Sequence, residues 1–525
     1  MSKKVIVIGA GVAGLSAGCY ASMNGYEVDV FEAHTIPGGL CTAWRVDGFL
    51  FDGCIEWLTG SGPASPFHQL WEEVGVIQAH TFIDREVYSV TTGTDGRSVA
   101  LWADPDRLGQ ELRELSPQDA GVIGELCGLV REMRRARYRV DHADELLGFW
   151  GTLKMMRDGW PARKLWATCT STTVRDFAQR FRDPLLRLAM ASSLPEQLPL
   201  VALVMALADL ANHAAGYPLG GSLPVAQTMA GRCASLGGRV HLRAPVKRVR
   251  VEAGRAVGVE LASGQLVEAD VVIAAGDLRA TLDQLLEGAF PSPAHEELFA
   301  TRELLPSLSY VSFGLSRPPV LDRRDAVTYR HALERPVTLA GHTIDVLRWK
   351  SYARDPSMAP PGKTVLISTV DSPHALWQQL KLEPQRYTRA KVELAEGLKA
   401  LLEAPMPGFG GLVETVDVAT PLTFERYTAN HQGRFMTWLP RISARPPKPV
   451  PRRVPGVSGL YLAGMWVSPP GGLPNALKSG REAVELLCHA EGVPFRTERG
   501  PCASGSGASC SISGPRLTSG KRGAQ

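Results

Sequence analysis

No stretch of this chain is apolar for long enough to cross a bilayer. The longest run, residues 198–208, is interrupted by Pro199 and falls short of the roughly 18 residues that a membrane span requires. Charge of neither sign is in excess: 57 basic against 53 acidic residues leave +4, too little to argue for a nucleic-acid partner. The nine cysteines, at positions 19, 41, 54, 127, 169, 233, 488, 502 and 510, form no CxxC pair and no zinc spacing. No metal is therefore expected, and reduced thiols fit a cytoplasmic protein. No Ser/His/Asp order and no second nucleotide fingerprint stand out either. What remains is an ordinary soluble composition, 44% hydrophobic and 21% charged over 525 residues, long enough for two domains or one two-lobed enzyme.

The first forty residues carry the most information. The β-branched run at residues 5–8 reads as a buried parallel strand and leads into Gly9, Gly11 and Gly14, the GxGxxG spacing, where a helix over residues 15–24 begins. Gly9 allows the tight turn, Gly11 leaves room for a pyrophosphate against the backbone, and Gly14 lets the helix pack closely on the strand. Free N–H groups at the helix start, around Val12 and Ala13, would face the phosphates. Asn24 and Gly25 close the helix, residues 26–31 give a second apolar strand, and Glu32, followed by Ala33, ends it. An acid in this window, roughly twenty residues after the glycines, accepts hydrogen bonds from a ribose hydroxyl pair. Lys3 and Lys4 before an apolar stretch could also open a secretory signal. A signal needs neither the glycine spacing nor the second strand and acid, so nucleotide binding is the better account.

Two further segments follow: Pro37, Gly38, Gly39 and Leu40, then Gly48, Phe49, Leu50, Phe51, Asp52 and Gly53. With Glu32 they match the acid, PGG and GFxFDxG pattern, and on these residues the chain resembles the flavoprotein desaturases and isomerases related to bacterial phytoene desaturase, carotenoid isomerase and retinol saturase. The resemblance spans most of the chain. It implies FAD as the resident nucleotide, held by a discontinuous Rossmann-type α/β domain, with a second α+β lobe for substrate. That family often places Arg or Lys where Leu40 stands. The GGLCT run at residues 38–42 and DGCI at 52–55 are closest to an uncharacterised branch.

The resemblance and the composition together divide the chain. Residues 1–62, 216–290 and 455–492 are expected to form the FAD domain, 63–215 a mainly helical cap, 291–454 the substrate lobe and 493–525 a disordered tail rich in Gly, Ser and basic residues. The cap should hold helices over residues 67–74, 105–115, 119–140, 173–182 and 198–211. Its arginines at 131, 134, 135, 137 and 139, followed by Phe149, Trp150, Leu153, Met155, Met156 and Trp160 between basic residues, could make a peripheral face on an anionic inner membrane surface. A packed cap with solvated arginines accounts for them equally well. The FAD domain resumes at Tyr217, Pro218, Leu219, Gly220 and Gly221, and a small meander is expected at residues 240–242, 246–251 and 257–261. By resemblance, the backbone of Val246 contacts the adenine. Near the end, Gly464–Met465 and Gly472–Leu473 form a second glycine-rich helix entry competent for an anion. Two such entries some 450 residues apart point to one discontinuous nucleotide fold.

The chemistry implied is removal of a hydride by FAD from an sp³ carbon of a long apolar substrate, with a proton leaving the neighbouring carbon. Glu56 or His431 is the candidate for the proton, and Arg426 and Tyr427 are candidate pocket residues. Oxygen or a quinone would take the electrons. The alternatives are cis/trans isomerisation or saturation of a polyene by reduced FAD, and a non-catalytic lipid carrier of the same architecture.

Overall fold

Five parallel strands build the sheet that carries the glycine turns, in the order Arg239–His241, Glu27–Phe31, Lys4–Ile8, Val271–Ala274 and Leu460–Leu462. In the computed structural model, which describes residues 2–500 apart from 137, 149–156, 158–161, 322–325, 440–441 and 443–448, Ile8 stands opposite both Phe31 and Ala274, and Ala274 opposite Leu462. The strands thus end together, along the edge where open parallel sheets receive ligands. The centre of such a sheet is covered on both faces, which is why residues 5–8 are apolar without alternation. Val5 and Val7 pack toward the helices Val12–Met23, Ser222–Ser235 and Leu473–Glu491, while Ile6 and Ile8 pack toward an antiparallel meander, Val246–Glu252, Arg255–Leu261 and Leu266–Glu268.

The expected meander differs in one strand. Residues 239–241 pair in parallel with Glu27–Phe31 instead. The helix Ser222–Ser235 and the Gly237–Gly238 turn bring the chain back across the sheet in the sense that parallel pairing demands.

A second lobe is organised on seven strands, ordered Val413–Ala419, Leu308–Leu315, Thr364–Asp371, His342–Ser351, Ala326–Leu339, Val87–Thr92 and Ser98–Trp102. The last two come from the region expected to be mainly helical. The β-branched run Val87–Thr92 turns at residues 93–96 and pairs in parallel with residues 326–331, a long-range partner that no local pattern announces. The helix Pro384–Leu401 covers one face through Leu394 and Leu398, against Val311, Phe313 and Leu366. Helices between residues 105 and 211 make a separate core around Leu112, Leu126, Phe177 and Leu203.

The helix expected over 119–140 is shorter, Ala120–Met133. Of the cap arginines, Arg131 pairs with Asp106, Arg134 donates to the Asn212 side-chain oxygen Oδ1 at 3.0 Å, and Arg139 pairs with Asp141 at 3.1 Å. Arg137, Phe149, Trp150, Leu153, Met155, Met156 and Trp160 lie outside the described residues. Among the described residues no helix is long and apolar enough to cross a membrane. Residues 493–500, which composition placed in the tail, instead run back over the nucleotide lobe. Asn24 and Arg496 exchange two hydrogen bonds, and Phe495 lies against Tyr20. Residues 501–525 lie outside the described residues.

Candidate active site

The parallel sheet ends on two glycine-rich helix starts. Gly9 adopts φ +95°, which a side chain disfavours, and its N–H donates to the Phe31 carbonyl at 2.8 Å. Glu32, 8% exposed, accepts from the Ala10 N–H at 2.7 Å and the His34 N–H at 2.8 Å. Its carboxylate therefore ties the second strand to the glycine turn and keeps a free lone pair on each oxygen. The helices Val12–Met23 and Leu473–Glu491 both start without a side-chain cap, so their first-turn N–H groups are left to a ligand. They also touch, Ser16 Oγ donating to the Leu477 carbonyl at 2.7 Å, and Ser479 Oγ accepts from the N–H of the glycine turn at Gly464 at 2.9 Å.

These turns open into a cavity of about 890 Å³ that continues between the two lobes. A Cβ on Gly276 would meet nothing within 4 Å. On Gly11 it would meet only the Gly38 oxygen, and on Gly472 only the edge of Pro474, each at 3.9 Å. All three glycines line the cavity, so the space that side chains would fill is kept clear along a track between two helix N-termini. That geometry fits a dinucleotide diphosphate.

Of the expected cofactor residues, Gly9, Gly11, Val12, Ala13, Glu32, Gly38, Gly39, Leu40, Gly464, Met465, Gly472 and Leu473 line this cavity. Gly14 lies beneath the turn, where an added Cβ would fall inside the radius of the Gly9 carbonyl oxygen. Ala33 is exposed. Val246 pairs with Leu261 and packs against the core on that face of the sheet. The preceding Ala244 N–H donates to the Glu32 carbonyl at 2.8 Å, which places this strand beside the acid and outside the cavity.

Asp52 ties the flanking segments together. Its Oδ2 accepts from the Ser222 N–H at 2.6 Å, and its Oδ1 from the Ser222 hydroxyl at 2.7 Å and the Cys54 N–H at 2.8 Å. Burial pushes its carboxyl above the ordinary range, against the pull of these donors. The Asp52→Ala variant strands buried N–H groups of Cys54 and Ser222, and a loss of about 3 kcal/mol is expected in the denaturant midpoint analysis of the holoenzyme. An unchanged midpoint would show that solvent reaches these groups.

Of the four expected catalytic residues, Glu56 and Tyr427 line the cavity, and Arg426 and His431 do not. Arg426 folds over the ring of its neighbour Tyr427 at 4.5 Å and bonds to its hydroxyl. His431 donates its backbone N–H to Asp277 at 2.8 Å. Burial, reinforced by Arg279 and Arg434, holds its imidazole below the ordinary histidine range.

Glu56 forms an ion pair with Lys350 at 2.9 Å. Burial alone would push the Lys350 ammonium down, but Glu56, Tyr352 and Tyr310 outweigh it and hold it above the usual lysine value. Lys350, Arg330 and Asp209, all on the cavity wall, are residues that the sequence pattern did not single out. The available signal was a cation at 330 and another at 350 within strands of otherwise buried aromatic and apolar residues, Tyr329 and Trp349 among them.

A parallel nucleotide sheet with two uncapped glycine entries, joined to a second lobe across a deep cavity, defines a two-lobed dinucleotide-dependent oxidoreductase. The sequence model described as flavin containing amine oxidoreductase matches residues 12–488, and the chain belongs to that family. Its cofactor is FAD. The chain is 27% identical to the zeta-carotene-forming phytoene desaturase of Myxococcus xanthus over 94% of this chain and 95% of that protein. It is 24% identical to the chloroplastic prolycopene isomerase of Arabidopsis thaliana over 87% and 78%. Cyclohexylamine oxidase from Brevibacterium oxydans shares the fold, with a TM-score of 0.54 at 16% identity over 94% of this chain and 100% of that one.

Proposed function

We propose that this chain is an FAD-dependent desaturase of a long polyene of the carotenoid class. The observation that supports it best is the continuity of the cavity, from the two glycine entries past Glu56 to an apolar wall of Leu188, Leu194, Leu198, Ala202, Met205 and Ala206. That wall would hold an extended hydrocarbon against the sheet and exclude water from the reacting carbons. Glu56, oriented by Lys350, would take the proton that leaves one carbon as its neighbour is oxidised. Bound FAD supplies the two-electron acceptor for that oxidation. Oxygen or a quinone is the final acceptor.

The test begins with the visible spectrum of the purified protein and the mass of its released cofactor. Near-stoichiometric FAD is expected, and phytoene or zeta-carotene incubated in air should gain absorption at longer wavelength as conjugation extends. A colourless protein that cannot be reconstituted with FAD would sink the reading and leave a lipid carrier. A geometric isomer formed without a net redox change would make the enzyme an isomerase.

A further inference from the structure

Arg330 is a buried guanidinium with no carboxylate in ion-pair contact among the described residues. It is 6% exposed and lines the cavity. Its Nη1 donates to Thr328 Oγ1 at 2.8 Å and its Nη2 to the Ser193 carbonyl at 2.9 Å. Both acceptors are neutral, and its buried Nε has no partner among the described residues. A guanidinium does not shed its proton to relieve burial, as a lysine or histidine can. An uncompensated charge taken out of water is costly, so the fold keeps this one for a reason.

Its neighbours sharpen the point. Arg330 stands directly opposite Arg348 across the antiparallel pair of strands, and Lys350 follows two residues along, so all three lie on one face of the sheet. Like charges directly opposite repel. Lys350 is matched by Glu56 at 2.9 Å and Arg348 by Asp371 at 3.1 Å. Among the described residues no carboxylate is in ion-pair contact with Arg330; Glu56 acts on it only at longer range. Across the cavity stands the apolar helical wall. A plain hydrocarbon would satisfy the wall and leave Arg330 as it is.

We propose that the substrate is an amphiphile: a long apolar chain carrying a carboxylate, with that carboxylate held by Arg330. The inference rests on the flavoenzyme reading above and names the end group of its substrate. A planar carboxylate presents two oxygens to the guanidinium and screens Arg330 from Arg348. On the polyene reading the chain is a polyene acid; a fatty acid shares the terminal carboxylate, and matched titrations separate the two.

The test is calorimetric titration of the FAD-loaded full chain with two matched pairs: all-trans-retinoate against all-trans-retinol, and oleate against oleyl alcohol. At least one acid is expected to bind roughly tenfold or more tighter than its alcohol, the scale of one charge-assisted pair. Preference in the retinoid pair alone points to a polyene acid, and preference in both to any acyl chain. The R330Q variant should bring the acid-to-alcohol ratio close to one, and R330K should restore part of it. Equal affinities for acid and alcohol in the wild-type holoenzyme would overturn the proposal, and so would a ratio that R330Q leaves unchanged. If R330Q does not fold, the wild-type ratio and R330K decide. Bound flavin is read from absorbance in the same samples. An enzyme that keeps FAD and desaturates a neutral carotene without acid preference overturns the head group alone, whereas a chain without FAD overturns the flavoenzyme reading.

Discussion

Gly14→Ala is expected to purify as a folded protein with almost no flavin. The new Cβ would fall inside the radius of the Gly9 carbonyl oxygen and also press on Ala275 Cβ at 3.3 Å. Neither neighbour is the loose end of a side chain. The glycine turn must therefore move, and with it the first N–H groups of the helix Val12–Met23 and the Ala10 N–H that Glu32 holds at 2.7 Å. A backbone overlap of this kind costs about 3 kcal/mol, or roughly a hundredfold in cofactor affinity. The ratio of flavin to protein absorbance measures it, and the thermal midpoint falls as well, because the cofactor stabilises only the folded chain. Gly231→Ala is the control. It sits in the helix Ser222–Ser235, where a Cβ meets nothing within 4 Å, and should keep its flavin while gaining up to about 1 kcal/mol. Full flavin content in Gly14→Ala would remove the turn from the cofactor site.

The second large effect is in the pH dependence of stability. Asp209, in the helix Leu200–Ala211, lines the cavity, and burial, partly offset by a hydrogen bond with Thr59, pushes its carboxyl from 3.8 to about 7. Between those values the folded protein holds a proton that the unfolded chain has released. Stability from this residue is therefore greatest in acid, falls as pH rises toward 7, and is level beyond it. Each tenfold gain in proton affinity on folding corresponds to about 1.4 kcal/mol, so Asp209→Asn should overtake the wild type by about 3 kcal/mol between about pH 4.5 and about pH 8. Urea unfolding at both values checks this. Parallel wild-type and variant curves would mean that the carboxyl is hydrated.

How much of this was legible beforehand depends on how local each signal is. The strand, glycine turn, helix and acid at residues 4–32 follow each other in sequence, and spacing alone places them. Glu56 and Lys350 lie almost three hundred residues apart, and nothing near either announces the other. Arg330 and Lys350 alternate with Tyr329 and Trp349 in the manner of a strand with one wet face. That face lines the cavity between the lobes, and nothing local in the sequence says what stands across from it. The strands Val87–Thr92 and Ser98–Trp102 escaped for a related reason, since their place depends on pairing with residues 326–331. His431 and Arg426 sit in a motif resembling one close to the flavin. A turn of backbone decides which side chains face the cavity, and here Tyr427 lines it.

The nucleotide sheet has its central strand at Lys4–Ile8 and an edge strand at Leu460–Leu462, and the first helix is sealed by the last through Ser16 and Leu477. On the ribosome, the glycine turn emerges about 450 residues before the strand and helix that complete its site. The apolar face of the helix Val12–Met23 must wait through nearly the whole of synthesis, at roughly 5–20 residues per second, before it is covered. Loop closure on this scale makes assembly slow. A ribosome that stalls before residue 460 releases a chain whose second lobe can be formed and whose cofactor cleft lacks a wall, a natural client for chaperones.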